Sequence, residues 1–108
     1  MSFRVRLTPQ AAQDVERLFD FVLERELQSA SGDLRVAEQA LQALQAIRDG
    51  LRTLELTPFS CRKAGDSPFL RELVIPFGRA GYVALFEIAD GSEIVVAAVR
   101  HQREDDFF

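Results

Sequence analysis

Four side chains in this 108-residue sequence have the types and spacing to handle an anion. Arg100, His101 and Arg103 crowd the point where a β-rich run ends, and Arg71 lies on an earlier run that can pair one or two strands away. Arginine presents a planar fork matched to phosphate and carboxylate, and histidine titrates near neutral pH. The set fits anion binding or proton shuttling. It fits equally a strand-end histidine that bonds the backbone or packs on a tail phenylalanine, because neighbouring arginines alone do not make a general base. Arg71 shares the strand parity of Leu73 and Ile75, so its guanidinium belongs at the edge of the core-facing side. There it is either held by a carboxylate or a backbone carbonyl, or exposed as an anion-binding group at the rim of the sheet.

Other reactive residue types are scarce. Tyr82, the one tyrosine, opens a strand and reads as a ring packed on the sheet. Cys61, the one cysteine, has no partner for a disulfide or a CxxC pair and reads as an inert thiol. One histidine, one cysteine and no GxxxxGK or GxSxG motif leave no metal site, no cofactor site and no ordinary hydrolase.

Composition narrows the classes further. The chain is 47% hydrophobic and 28% charged, the balance of one folded domain over residues 1–108. A net charge of -4 argues against broad contact with phosphate backbones, which depends on neutralising them with lysine and arginine, so no specific nucleic-acid partner is expected. Lys63 is the only lysine among the 13 basic residues, and arginine suits a partner-binding surface. No apolar run approaches a membrane span and the N-terminus lacks a signal-peptide stretch, so the expected location is cytoplasmic.

The elements that must position these groups follow from periodicity. Phe3-Arg4-Val5-Arg6-Leu7 alternates as a half-buried strand, with the arginines facing away from the core. Thr8-Pro9 supplies a cap and a tolerated first-turn proline for a helix reaching about Leu27. Its apolar stripe is Ala12, Val15, Phe19, Val22 and Leu23, widened by Leu18, with Asp14, Glu16, Arg17 and Asp20 on the solvent side. After a break at residues 29–33, with Ser31 or Asp33 as cap, Ala37, Ala40, Leu41, Leu44, Ile47, Leu51 and Leu54 define a second helix ending near Leu56. Gly50 interrupts it at a cost of about 1 kcal/mol. Pro58 to Pro68 is a loop carrying Arg62 and Lys63.

Three strands follow, at 70–75, 82–88 and 93–100, joined by a loose turn at Gly78–Gly81 and a hairpin at Asp90-Gly91 whose two central residues both accept positive φ. The last two strands are apolar on both faces, which predicts at least partial cover on both. The expected fold is α+β, in the order β-α-α-β-β-β, a helical hairpin packed on an antiparallel sheet. The acidic, phenylalanine-ended tail Glu104–Phe108 either frays, clips to the core or anchors a partner.

The ordered set Val5-x-Leu7-Thr8-x-x-Ala11-x-x-Asp14, a second helix ending before Thr57-Pro58, Arg71-x-Leu73, Gly81-Tyr82-x-x-x-Phe86-x-Ile88 and Ile94-x-x-x-x-Val99-x-His101-x-Arg103 resembles the ParE branch of the RelE/ParE toxin superfamily over nearly the whole chain. The resemblance implies the toxin of a bacterial type II toxin-antitoxin pair, in a hetero-oligomer with a cognate antitoxin whose C-terminal segment wraps over the hairpin and sheet. It implies antitoxin contacts along Val15, Phe19, Val22 and the side of the fourth strand.

The superfamily divides by activity. RelE-like members cut mRNA on the ribosome with basic residues and usually a tyrosine or histidine near the C-terminus, whereas ParE-like members poison DNA gyrase and lack that set. Here Gln102 stands where a tyrosine would follow His101, and the acidic balance disfavours mRNA. The gyrase branch is therefore expected, with Arg71, Arg100, His101 and Arg103 as target contacts. In a ribonuclease the catalytic candidates would be Arg71, His101 and Arg103. A third reading is an inactive interaction module with the same fold.

Overall fold

Alternation makes Arg4–Leu7 strand β1, with Val5 and Leu7 half-buried and Arg4 and Arg6 exposed. The Thr8 hydroxyl then accepts the Ala11 N–H at 3.1 Å, capping helix α1 (Pro9–Ser29). The rest of the chain is α2 (Leu34–Thr53), a single 3-10 turn at Pro58–Ser60, and strands β2 (Arg62–Lys63), β3 (Leu70–Phe77), β4 (Ala80–Ile88) and β5 (Glu93–His101). The computed structural model describes residues 2–29, 34–78 and 80–102, with side chains defined for 2–21, 38–78 and 81–102.

The strands form one sheet in the order β1-β5-β4-β3-β2. β3, β4 and β5 are successive antiparallel neighbours, but β1 runs parallel to β5, with Leu7 opposite Val96. The α+β layering is therefore the expected one, while the sheet is mixed. A parallel neighbour needs a long crossover, and the helical hairpin together with β2–β4 supplies it. Residues 62–63, expected in loop, form the short edge strand β2 against Glu72 and Arg71 of β3.

Both helices lie on one face of the sheet, and the core between them holds Leu18 from α1, Ile47, Leu51 and Leu54 from and just after α2, and Ile75, Phe86, Ile94, Val96 and Val99 from the sheet. The α1 stripe is rotated from the expected one. Among its described side chains Ala11, Asp14 and Leu18 are buried, Val15 and Phe19 are half-buried and Ala12 is exposed, while Val22 and Leu23 lie outside them. Asp14 was expected on the solvent side, and the sheet explains its burial. β1 ends at Leu7, which leaves the far half of β5 paired with β4 on one side and without a strand neighbour on the other. Asp14 Oδ2 accepts the Val99 N–H at 3.0 Å, and the Thr8 hydroxyl donates to the Ala97 carbonyl at 3.2 Å. Side chains of the crossing helix thus satisfy backbone groups that a strand would otherwise pair.

On α2 the buried positions among the described side chains are Ala40, Ala43, Ile47 and Leu51; Leu41 is exposed rather than part of the stripe, and Ala37 lies outside the described side chains. Gly50 faces Ile75, where a methyl group would lie only 2.7 Å from Cγ1, so the glycine allows the helix to seat against β3.

The helices cover one face of β4 and β5, and the other is covered in part by the sheet's own side chains, with Val83 buried and Leu85 half-buried. Part of the apolar run comes from a bulge: Leu85 pairs with Ala98 but Phe86 pairs with Val96, so Ala97 is an extra residue. The parity switch lets both Val96 and Val99 point into the core. On the open face Glu72 takes Arg62 at 3.0 Å and Arg100 at 3.5 Å, so Arg100 reaches across β4, and Val83 directly opposite it is buried. The β4–β5 turn also differs from expectation: Ala89 bonds Glu93 across a three-residue loop, and only Gly91 takes positive φ. The β3–β4 hairpin is tighter than expected, with Phe77 opposite Ala80.

Candidate functional site

The alternation of β5 separates the residues that are adjacent in sequence. Arg100 points to the open face, where Glu72 holds it, and His101 points to the helix face beside Tyr82. Arg103 lies outside the described residues. The His101 ring meets Tyr82 edge-on at 5.6 Å, and Tyr82 in turn tilts against Phe77 at 6.1 Å. A row of three rings thus closes this end of the sheet. Tyr82 is buried, and that burial pushes its phenol above the ordinary range, which keeps the hydroxyl protonated.

Gly81 makes this packing possible. A Cβ there would run into the carbonyl oxygen of Ile75 on β3, so any side chain would force β4 away from its neighbour. The Gly81 carbonyl also accepts the Gln102 N–H at 2.8 Å, fixing the end of β5. The pair Gly81-Tyr82 therefore acts as one device: the first residue brings the strands close and the second supports His101.

Arg71 is elsewhere. It pairs with Phe86, whereas His101 lies in the row of Tyr82 and Ile75, four residues along β3 and two strands across. At ordinary strand spacings that is about 13 Å along and about 10 Å across, beyond the reach that sequence proximity suggested. Its guanidinium is engaged by three carbonyls: Nε donates to Pro68 at 2.7 Å, and Nη1 donates to Phe59 at 3.1 Å and Cys61 at 2.6 Å. It also lies 5.1 Å over the Phe59 ring. Of the two roles open to it in sequence, the structure displays carbonyl binding. Burial pushes the neighbouring Cys61 thiol up, with the Arg71 charge pulling partly the other way. A protonated, half-buried thiol is a poor nucleophile.

The family comes from the chain as a whole. A model of the ParE toxin of the type II toxin-antitoxin system parDE matches residues 5–106. The chain belongs to the ParE toxin family. A relative described as Toxin RelE1 from Caulobacter vibrioides is 32% identical over 104 residues, covering 96% of this chain and 98% of the relative. A solved structure described as the chromosomal ParDE TA system from P. aeruginosa superposes with a TM-score of 0.66 at 21% identity, over 93% of this chain and 96% of that one, and shares the fold.

In this ParE-family chain the helices offer apolar groups outward as well as inward. Val15 packs against the core and Phe19 is half-buried, while Phe21 and Leu41 are both more than half exposed. The Val22 side chain is outside those described. Sequence reading passed over Phe21 and the exposed rings of Phe59 and Phe69, and it counted Leu41 in the buried stripe of the second helix; Phe59 and Phe69 line an open cleft. The last two left a signal in the repeated Pro-Phe steps at 58–59 and 68–69, which bracket the loop that Arg71 grips.

Proposed function

We propose that this ParE-family toxin acts by poisoning DNA gyrase in the cytoplasm and is neutralised in a hetero-oligomer with a cognate antitoxin. The observation that carries the choice of target is the dispersal of the basic residues. A ribonuclease needs its acid, base and phosphate-binding groups around one scissile bond. Here Arg71 is committed to loop carbonyls far from His101, and Arg100 faces the opposite side of the sheet. The net charge of -4 supports the same reading, since mRNA would meet no broad basic face.

In this proposal the strand-end residues Arg100, His101 and Arg103 serve target recognition, and Arg71 shapes the opposite end of the same sheet. The antitoxin takes the apolar side of α1 along Val15, Phe19 and Val22, and the exposed Phe21 and Leu41 give a helical segment further purchase. Domain 1–108 acts as one unit.

One observation favours the ribonuclease alternative: the Tyr82 ring against His101 supplies from β4 the tyrosine that Gln102 does not. Burial of that phenol works against it as a proton carrier. Induction of the chain alone in a bacterium separates the readings. Gyrase poisoning gives filamentation and a DNA-damage response before protein synthesis falls. Immediate translation arrest would support the ribonuclease, and unaffected growth the inactive module.

A further inference from the structure

The end of the sheet away from His101 carries an open aromatic cleft of about 470 Å³. Phe3, Phe59, Phe69 and Ile88 form its apolar lining, and Glu87 and Asp90 its acidic groups. Phe59 and Phe69 are each about half exposed, at 52% and 50%, where surface economy would favour polar residues. These rings are also built into place. Phe59 meets Phe3 and Phe69 edge-on, both at 6.5 Å, and Arg71 stacks on it while holding the carbonyls on either side of the loop. Exposed rings held this rigidly lose little freedom when something packs on them.

The charges define what that is. Glu72 and Glu93 are each paired with arginine, whereas among the described residues Glu87 and Asp90 have no ion-pair partner, and no basic residue lines the cleft. An acidic mouth over an aromatic floor complements a cation beside a bulky apolar group. The chain's own Glu104-Asp105-Asp106-Phe107-Phe108 tail, or that of a second copy, would bring like charge to those carboxylates.

We propose that this cleft is a docking site for a segment of a partner protein that presents a bulky apolar side chain next to a lysine or arginine. The apolar group enters between Phe59 and Phe69, and the cation lies over Glu87 and Asp90. Arg71 is a positioning residue for the site, since it touches Phe59 rather than the ligand. The inference stands independently of whether gyrase is the target.

Titration of the full-length, ¹⁵N-labelled chain with acetyl-Gly-Phe-Lys-Gly-amide, followed by amide shifts, tests it. The shifts should cluster at residues 59, 69 and 87–91. Binding should be about fivefold tighter than for the peptides with glutamate in place of lysine or alanine in place of phenylalanine. The charge-reversed pair Glu87→Lys and Asp90→Lys should invert the lysine preference, and Phe69→Ala should abolish binding. Should the reversed pair not fold, Glu87→Gln with Asp90→Asn should level the two affinities. Equal affinity for the lysine and glutamate peptides, or shifts confined to the helices or the His101 end, overturns the proposal. So do concentration-dependent shifts at the cleft without peptide, which would identify a second copy as the occupant.

Discussion

The two ends of the sheet use the same residue types to opposite effect. At the His101 end aromatic rings close on one another: Phe77, Tyr82 and His101 stack in a row under the helices, and Tyr82 is 2% exposed. At the Arg71 end a second row, Phe3, Phe59 and Phe69, stands open with a cation beneath its middle ring. The first arrangement is made by strand register and a glycine. The second is made by a loop with little regular structure, which needs an arginine to hold it. Identical chemistry therefore yields a packed, stable end and a presented, recognition-ready one, and the difference lies in what supports the rings.

Substitutions can separate the two. The largest effect should come from Gly81→Ala, because its Cβ meets the rigid Ile75 carbonyl rather than a movable side chain. A loss of about 3 kcal/mol in urea unfolding is expected. A loss below about 0.5 kcal/mol, the range of ordinary surface changes, would show that β4 does not depend on the close approach. Asp14→Ala comes next. It leaves the Val99 N–H without its acceptor on the buried edge of β5 and should cost about 2 kcal/mol. Asp14→Asn, which keeps a carbonyl oxygen there, should recover much of that, and equal losses in both variants would point to charge rather than the hydrogen bond.

At the open end Arg71→Ala should cost about 1.5 kcal/mol, by loss of its carbonyl contacts. Its signature is regional: hydrogen exchange should quicken through residues 59–70 and leave residues 80–102 protected. Exchange rising equally at both ends would dissolve the distinction between them. The smallest effect is in pH. The Tyr82 phenol is raised by burial in the folded chain, so its contribution to stability is complete below the ordinary phenol range near pH 10 and fades as pH climbs through the higher folded value. Tyr82→Phe should remove that part of the alkaline destabilisation, and an unchanged pH profile would assign it to other groups.

Much of the closed end was legible in sequence and little of the open one. Period-two and helical patterns give each long element within a few residues, and Thr8 caps α1 as its position suggests. What periodicity does not carry is lateral placement. β1 could not be seen to pair parallel with β5, and without that edge the burial of Asp14 has no visible cause. The Ala97 bulge reverses parity within β5, so its apolar run looked two-faced. Arg71 and His101 are both genuine strand residues, but their separation depends on register, which sequence spacing does not fix. The aromatic cleft joins four distant segments of chain, and the Pro-Phe steps at 58–59 and 68–69 mark two of its rings without showing that they meet.

The same dispersal of basic groups underlies the proposed target, and purified gyrase tests it most directly. The full-length chain should inhibit ATP-dependent supercoiling of relaxed plasmid and trap gyrase on cleaved DNA, visible as linear product after denaturation. Added antitoxin should prevent this, while mRNA on translating ribosomes stays intact. Normal supercoiling with no trapped cleavage, alongside ribosome-dependent cutting of mRNA by the same preparation, would contradict the account.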